Sequence, residues 1–329
     1  MKILVCGGAG YIGSHVVSAL VEQGYEVVVV DNFSTGHPGA VPKVAVIEEG
    51  DIRDQAFLNQ VFMAHQIDCV MHFCANSQVG ESMEQPIKYY QNNVYGSLCL
   101  LETMVEHGVK RFVFSSTAAV YGEPAESPIT EVSTQKPTNT YGETKLAVEK
   151  MLPWLDLAYG LKSMIFRYFN AAGAHPSGKI GEDHNPETHL IPLIIKTALG
   201  QRDKISVFGE DYPTPDGSCI RDYIHVMDIA SAHILGMEKL LAGSESQVYN
   251  LGDGKGFSVK EVITKTKMLT ERAFTVEVSA RRAGDPAELI ASSQKAQQEL
   301  GWTPVYSDLD DIIKTAWKWH QDHPQGYGE

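Results

Sequence analysis

A glycine-rich segment close to the first residue constrains the fold more than any other feature of the sequence. Gly7, Gly10 and Gly13 follow the apolar run 3–5, which predicts a buried strand, and precede residues 16–21, which predict a helix ending near residue 24. Glycines let the backbone turn sharply and approach a ligand closely because they have no Cβ. The N–H groups at a helix start attract an anion such as a pyrophosphate. A strand, a glycine turn and a helix in this order therefore predict a dinucleotide-binding unit.

The end of the second predicted strand indicates which dinucleotide is bound. Residues 26–30 are a glutamate and four valines, and Asp31 follows them directly. A carboxylate at this position accepts hydrogen bonds from the ribose hydroxyls and repels the additional phosphate of NADP. We therefore expect NAD as the cofactor, the alternative being that Asp31 is an ordinary polar residue at a strand end.

Strands and helices continue to alternate as far as Tyr168. Further strands are predicted at 44–48, 69–73, 111–115 and 163–168, and helices from residue 54, over 87–107 and over 140–155. This alternation predicts an α/β fold with a Rossmann-type, doubly wound parallel sheet. Asp51 follows the third strand, where it either binds the adenine amino group or caps the helix that begins near Asp54.

The pattern becomes less regular after Tyr168. Residues 170–187 are rich in Gly, Pro, His and Asn and predict a loop, and later segments predict helices at 190–199 and 226–241 and strands at 205–208, 248–251 and 274–278. We expect an NAD-binding domain over residues 1–169 and a smaller C-terminal α/β substrate domain over 170–329, with the chain returning to the first domain around 223–251.

Composition limits the partners and the compartment. The 329 residues carry a net charge of -14, which argues against nucleic acid or an anionic membrane as the main partner. No apolar run approaches the length of a transmembrane helix. The five cysteines are odd in number, and their spacing fits no zinc site. We therefore expect reduced thiols and a cytoplasmic protein.

Three residues form a candidate catalytic group. Tyr141 and Lys145 are four residues apart at a predicted helix start, so their side chains share one face, and Thr117 follows the fifth strand. A tyrosine has an ordinary pKa of about 10, and a nearby ammonium and a nicotinamide cation both favour the phenolate. Tyr141 would then accept a proton from a substrate hydroxyl while a hydride leaves the same carbon.

These features belong to longer segments, among them residues 7–15, 89–94, 115–122, 167–170 and 221–228, that resemble the extended short-chain dehydrogenase/reductase family. The similarity covers essentially the whole chain and is strongest to the UDP-hexose 4-epimerases of that family. It implies an NAD-dependent isomerase of galactose metabolism that interconverts UDP-glucose and UDP-galactose through a transient 4-keto sugar. It also implies a homodimer built on two helices of the first domain.

The resemblance assigns roles to matching residues. The catalytic residues are Tyr141, Lys145 and Thr117. The expected NAD contacts are Gly7, Gly10, Tyr11, Ile12, Gly13, Asp31, Asn32, Phe33, Ser34, Thr35, Gly36, Asp51, Ile52, Phe73, Cys74, Ala75, Ser77, Asn92, Lys145 and Phe169. The expected contacts with the UDP-sugar are Thr117, Tyr141, Asn170, His189, Leu190, Ser206, Phe208, Arg221, Arg282, Asp285 and Leu289.

Some residues depart from the family pattern. Ser77 stands where some members have a lysine near the cofactor phosphate, and His189 replaces an asparagine. Leu289 lies where members restricted to hexoses often have a tyrosine. We hypothesise from Leu289 that the sugar pocket is large enough to accept UDP-GlcNAc and UDP-GalNAc as well.

Three alternative functions are disfavoured by particular residues. A nucleotide-sugar 4,6-dehydratase on the same scaffold needs an acid–base pair after the threonine, whereas Ala118 and Ala119 follow Thr117. An NAD-sensing regulator could lose the catalytic tyrosine or lysine, and this chain has both. For a metalloenzyme using His184, Glu187 and His189, the spacing fits no common ligand helix, and Pro186 interrupts it. We therefore expect no metal.

Overall fold

A seven-stranded parallel sheet forms the centre of the computed structural model, which describes residues 1–282 and 285–328. Its first six strands are β1 (Lys2–Cys6), β2 (Glu26–Asp31), β3 (Val46–Glu49), β4 (Cys69–His72), β5 (Arg111–Thr117) and β6 (Lys162–Tyr168). The strand Gln247–Leu251 pairs with β6 and completes the order Gln247–Leu251, β6, β5, β4, β1, β2, β3. The Rossmann-type sheet is confirmed, although β3 begins two residues later than the sequence predicts.

The strands are buried on both faces, which explains why their sequences are continuously apolar rather than alternating. Along β1, Ile3 and Val5 pack into the hydrophobic core on one face, and Leu4 and Cys6 pack into the core on the other. All neighbouring strands are parallel, so their carboxyl ends lie along one edge of the sheet. Asp31 and Thr117 both lie at this edge, which is where open α/β sheets bind ligands.

Helices cover the two faces of this sheet. Those of the first half are α1 (Tyr11–Glu22), α2 (Gln55–Ala64), α3 (Val79–Glu84), α4 (Pro86–Tyr89), α5 (Gly96–Glu106) and α6 (Thr140–Tyr159). The helix predicted over 87–107 is divided, because residues Tyr90–Tyr95 between α4 and α5 form a π-helix. Periodicity cannot reveal such a segment, since a single wide turn changes the apolar pattern very little.

Apart from Gln247–Leu251, the remaining described strands form three smaller sheets. The remaining elements are β7 (Asn170–Ala172), α7 (Leu190–Ala198), β8 (Lys204–Phe208), β9 (Ile220–Arg221), β10 (Tyr223–His225), α8 (Val226–Leu241), β11 (Gln247–Leu251), β12 (Phe257–Ser258), α9 (Val259–Thr270), β13 (Thr275–Ser279), β14 (Glu288–Leu289) and α10 (Leu309–Asp322). The prediction of a loop over 170–187 is wrong at its start, because Asn170–Ala172 form β7, which pairs with β10. The exact domain boundaries stay a prediction.

Candidate active site

The glycine loop connects β1 to α1 at the carboxyl edge of the sheet. Gly7 has a φ of +78°, and a Cβ there would lie 2.5 Å from the backbone nitrogen of Cys74. A Cβ on Gly13 would lie 2.0 Å from the carbonyl oxygen of Gly7. A Cβ on Gly10 would lie 3.5 Å from the carbonyl oxygen of Gly7, which is an ordinary contact distance. Gly10 also lines an open groove. Gly7 and Gly13 are thus required by the protein's own packing, whereas Gly10 keeps the groove free for a ligand.

The start of α1 is suited to an anion. Gly10 is its N-cap residue, and no side chain among the described residues caps the helix. Its first turn also contains no acidic residue. The first N–H groups therefore point toward the groove with the positive end of the helix dipole, as a pyrophosphate requires.

Alanine substitutions at Gly10 and Gly13 should separate cofactor binding from folding. We expect Gly10→Ala to weaken NAD binding by at least about tenfold while the cofactor-free protein loses less than about 1 kcal/mol of stability. We expect Gly13→Ala to destabilise the cofactor-free protein by more than about 2 kcal/mol, because its Cβ overlaps backbone. Calorimetric NAD titration and urea unfolding measure the two quantities. Equal losses of stability in both variants would contradict this assignment.

Asp31 is held in a fixed orientation beside this loop. It is 8% exposed, and its two carboxylate oxygens accept backbone N–H bonds from Ala9 and Phe33, each at 2.9 Å. Burial raises the pKa of Asp31, and these two hydrogen bonds oppose the rise. A carboxylate fixed at the end of β2 has the position that the ribose-binding role requires.

Asp51 forms an ion pair and does not cap a helix. Its carboxylate accepts bonds from Arg53 at 2.6 Å and from the side-chain amide of Asn32 at 3.0 Å. The bonds from Arg53 hold the pKa of Asp51 well below its usual range. Asp54, rather than Asp51, caps α2 by accepting the N–H of Phe57. Of the two roles considered for Asp51, the position at the groove is therefore the one compatible with the fold.

A groove lies along the carboxyl ends of β1, β2 and β4. It is lined by thirteen of the predicted cofactor residues, namely Gly7, Gly10, Asp31, Asn32, Ser34, Thr35, Gly36, Asp51, Ile52, Phe73, Cys74, Ala75 and Asn92. Val30, Gly50 and Asn76 also line it and were missed. The predicted residues outside this lining are Tyr11, Ile12, Gly13, Phe33, Ser77, Lys145 and Phe169.

Asn93 is a positioning residue that the sequence did not single out. It is 1% exposed, and its side chain bonds the backbone of Asn76 twice, accepting at 2.9 Å and donating at 3.0 Å. It also donates to Thr144 Oγ1 at 3.0 Å. Asn93 therefore connects the groove wall to the helix that carries the catalytic candidates. Its polarity within an apolar helix was the available signal.

The three catalytic candidates lie at the end of β5 and in the first turns of α6. Asn139 caps α6 by accepting the N–H of Gly142, which places Tyr141 and Lys145 on the first two turns. Lys145 is 3% exposed and donates to the carbonyl oxygen of Ser115 at 2.8 Å. Burial raises the pKa of Tyr141, whereas a hydrogen bond with Thr117 lowers it. Burial lowers the pKa of Lys145 to about 8.

A buried ion pair links the elements that carry this group. Glu149, one turn after Lys145 on α6, pairs with Arg167 of β6 at 2.5 Å, and both side chains are less than 5% exposed. Ser116 donates to the same carboxylate at 2.5 Å. The pair therefore joins α6 to the two strands that end at the catalytic group.

Four of the predicted UDP contacts lie on the shorter strands or in the segment between β13 and β14. Arg221 forms an ion pair with Asp285, and both side chains are at least three-quarters buried. The Arg282 guanidinium lies 3.9 Å from the ring centroid of Phe208, so it covers one face of that ring. The structure thus brings each arginine together with another predicted substrate residue.

The other predicted substrate residues lie on several elements. Asn170 donates to the carbonyl oxygen of Asp222 at 2.8 Å, and Ser206 lies on β8, half-buried. Leu289 pairs in register with Arg221 and packs with Phe169 against the same small apolar cluster. Leu289 and the predicted NAD contact Phe169 are therefore packed against one shared cluster.

His189 and Leu190 form the start of α7, with His189 at the N-cap. The Glu182 carboxylate, which is 3% exposed, accepts bonds from both His189 and His184. Burial lowers the pKa of His189, but the charge of Glu182 outweighs this and the net value is about 9. The contact with Glu182 therefore holds His189 at the start of α7.

Comparison with known proteins places this geometry in a family. Residues 3–252 match the model of the NAD dependent epimerase/dehydratase family, and the chain belongs to that family. The UDP-glucose 4-epimerase of Halalkalibacterium halodurans is 58% identical over 99% of this chain and 98% of its own length. A crystal structure of a UDP-glucose 4-epimerase superposes with a TM-score of 0.99 at 59% identity, covering 100% of both chains.

A second solved structure contains the cofactor. The UDP-glucose 4-epimerase of Brucella ovis in complex with NAD has a TM-score of 0.94 at 48% identity, over 96% of this chain and 97% of that one. Three features fit a dinucleotide: the start of α1 has no side-chain cap among the described residues, Asp31 is held in a fixed orientation, and Gly10 leaves the groove free. NAD is the cofactor of this enzyme. None of the described helices has the length and apolar character needed to span a lipid bilayer.

Proposed function

We propose that this enzyme interconverts UDP-glucose and UDP-galactose by inverting the configuration at C4 of the sugar. The observation that carries the proposal is the convergence of Thr117, Tyr141 and Lys145 at the end of β5, beside the NAD groove. The full-length similarity to UDP-glucose 4-epimerases supports the same reaction.

Each catalytic residue has one task in the proposed mechanism. Tyr141 accepts the proton of the sugar O4 and later returns it, and the Thr117 hydroxyl bonds the same oxygen. The Lys145 ammonium stabilises the phenolate form of Tyr141. Bound NAD supplies the acceptor for the C4 hydride and gives that hydride back, so the 4-keto sugar is transient.

The substrate residues are proposed to hold UDP tightly and the sugar loosely. Arg221 and Arg282 supply local positive charge for the diphosphate, which an acidic protein with a net charge of -14 needs. Because the sugar must present its opposite face before the hydride returns, the contacts to the hexose have to be few.

Incubation of the purified enzyme with UDP-galactose, without added NAD, tests the proposal. We expect UDP-glucose to form, with retained cofactor supporting repeated turnovers. A 4,6-dehydratase would instead release a UDP-4-keto-6-deoxy sugar. Lack of any interconversion even with added NAD would defeat the epimerase proposal.

Substrate breadth is proposed to depend on Leu289. We expect the wild type to convert UDP-GlcNAc, and Leu289→Tyr to lower kcat/KM for UDP-GlcNAc by at least about 100-fold. Activity on UDP-glucose should change by less than about tenfold, because the larger ring fills space that only the N-acetyl group requires. Product analysis with both substrates measures the ratio. An unchanged ratio in Leu289→Tyr would contradict the proposal.

We further propose that the enzyme is a homodimer. The helices from Pro86 to Glu106 and α6 pack beside each other and expose large apolar side chains, including Ile87 at 72%, Leu98 at 45%, Trp154 at 71% and Leu157 at 79%. A second copy of this chain would cover such a patch. Light scattering should give twice the chain mass, and Leu98→Glu with Trp154→Glu should give monomers.

Two other expectations are also carried forward as proposals. The five cysteines form no disulfide among the described residues, which is compatible with the cytoplasm. The domain division is proposed at residues 169 and 170, with β11 contributed to the NAD-binding domain by the later part of the chain.

A further inference from the structure

Four side chains converge just before α7. The proposed reaction gives them no joint role. They are Glu182, His184, Glu187 and His189, and one potential ligand atom of each lies within 4.8 Å of the others. One oxygen of Glu182 contacts both imidazoles, His184 at 3.0 Å and His189 more closely. Two histidine nitrogens and one buried carboxylate oxygen therefore meet at one place in this loop.

Glu187 supplies an independent indication that a ligand belongs in this cluster. Its Oε1 accepts the backbone N–H groups of Thr188 at 2.7 Å and His189 at 2.8 Å. Its Oε2 is buried and has no hydrogen-bond partner among the described residues. A buried carboxylate oxygen without a donor is unfavourable, and a cation in the cluster would remove that penalty.

The surroundings hold the cluster in place. The indole N–H of Trp319 donates to the backbone oxygen of Glu182 at 3.0 Å. The ring of His184 packs edge-on against Tyr11, with 6.0 Å between centroids. The His189 side chain is 50% exposed, which leaves a path for an ion from solvent. A fixed ligand set with one accessible side is what a metal site requires.

We propose that Glu182, His184, Glu187 and His189 form a structural binding site for a divalent transition-metal ion, with Zn²⁺ as the best fit. Two imidazoles and two carboxylates are a ligand set that four-coordinate zinc accepts, whereas Mg²⁺ and Ca²⁺ prefer oxygen ligands alone. The ion would fix the loop that leads into α7. The sequence disfavoured a metal because the spacing fits no common ligand helix. In the structure these residues lie in the loop before α7 and at its N-cap, so Pro186 does not disturb their arrangement.

Metal binding can be measured without any assay of catalysis. The full-length enzyme, treated with a chelator and dialysed, is titrated calorimetrically with ZnCl₂ and separately with MgCl₂. We expect one Zn²⁺ per chain with a Kd below about 1 µM and no detectable heat with Mg²⁺. Substitution with Co²⁺ should give the intense visible bands of a four-coordinate site. Lack of zinc binding up to about 100 µM would overturn the proposal.

Two conservative variants and a matched control assign the site. His184→Asn and Glu187→Gln should weaken zinc binding by at least about 100-fold. His65→Asn, which removes a histidine bonded to Glu48 at 2.8 Å outside the cluster, should leave the Kd unchanged. Equal zinc affinity in all three variants would place the ion elsewhere. Anomalous scattering from wild-type crystals locates the ion without any variant, and a peak outside the cluster would also refute the site.

Discussion

Tyr141→Phe should lower kcat for UDP-galactose by about 10³-fold, within the range that removal of a general acid–base group costs. The substitution removes the phenolic oxygen and leaves the ring, so the helix start and the groove should be unaffected. Lys145 keeps its bond to the Ser115 carbonyl oxygen and should still hold its place. Initial rates under saturating substrate give kcat, and the absorbance of the denatured supernatant gives the NAD content.

Tyr168→Phe is the matched control. Tyr168 is a second buried tyrosine near Tyr141, and its hydroxyl contacts the Ser115 hydroxyl. We expect its removal to cost less than about tenfold in kcat, since it has no assigned proton to transfer. If Tyr168→Phe proved the more damaging change, the acid–base role would pass to Tyr168.

The pH dependence follows from the same residues. Burial raises the pKa of Tyr141, so the phenol stays protonated at neutral pH unless nearby cations favour its ionised form. The rate should therefore rise with pH as Tyr141 loses its proton, as long as Lys145, whose pKa burial lowers to about 8, keeps its charge. Lys145→Met removes one of those cations and should move this rise to higher pH. A profile of kcat/KM that does not move would mean that Lys145 has no influence on Tyr141.

Arg167→Leu should lower the free energy of unfolding by about 3–5 kcal/mol, because it leaves the Glu149 carboxylate buried without its ionic partner. Arg167 donates to Glu149 through Nη2 at 2.5 Å and through Nε at 3.0 Å. In Arg167→Leu, Ser116 still donates to one oxygen of the Glu149 carboxylate, but it cannot also satisfy the other. Urea unfolding of the NAD-saturated enzyme measures the change.

Two comparisons make this result interpretable. The double variant Arg167→Leu with Glu149→Leu should recover much of the loss, because no unpaired charge remains. Lys204→Met breaks the pair with Glu277, whose side chains are 52% and 47% exposed, and should cost less than about 1 kcal/mol. If the double variant were no more stable than Arg167→Leu, the loss would reflect packing rather than charge burial.

Local sequence patterns were sufficient to predict the repeated strands and helices of the large sheet. The strands around Val5, Val29 and Val113 are fully buried apolar runs, and the helices predicted between successive strands favour a parallel arrangement. The glycine loop and Asp31 were predictable because their chemistry depends on neighbours within the chain. The same reasoning explains why Tyr141 and Lys145 could be proposed as a pair, since helical spacing alone places them on one face.

Contacts between distant segments were not predictable. The π-helical turn around Asn92 and Asn93 depends on bonds from Asn93 to Asn76 and Thr144, which no periodicity encodes. The stacking of Arg282 on Phe208 joins residues far apart in sequence. These contacts arise from tertiary packing, which overrides local preference.

The pairing of β7 with β10 has a mechanical consequence. These strands carry the chain away from the large sheet after β6 and back to it before α8, and they are hydrogen-bonded to each other. The chain then leaves again after β11, and Trp302 ties a later segment to α8 by donating to Asp228 at 3.0 Å. The chain therefore passes between the large sheet and the smaller sheets at several neighbouring places. Bending at one of these connections cannot separate the large sheet from the smaller ones. Release of product should therefore proceed by small sliding movements of packed segments rather than by a wide hinge opening.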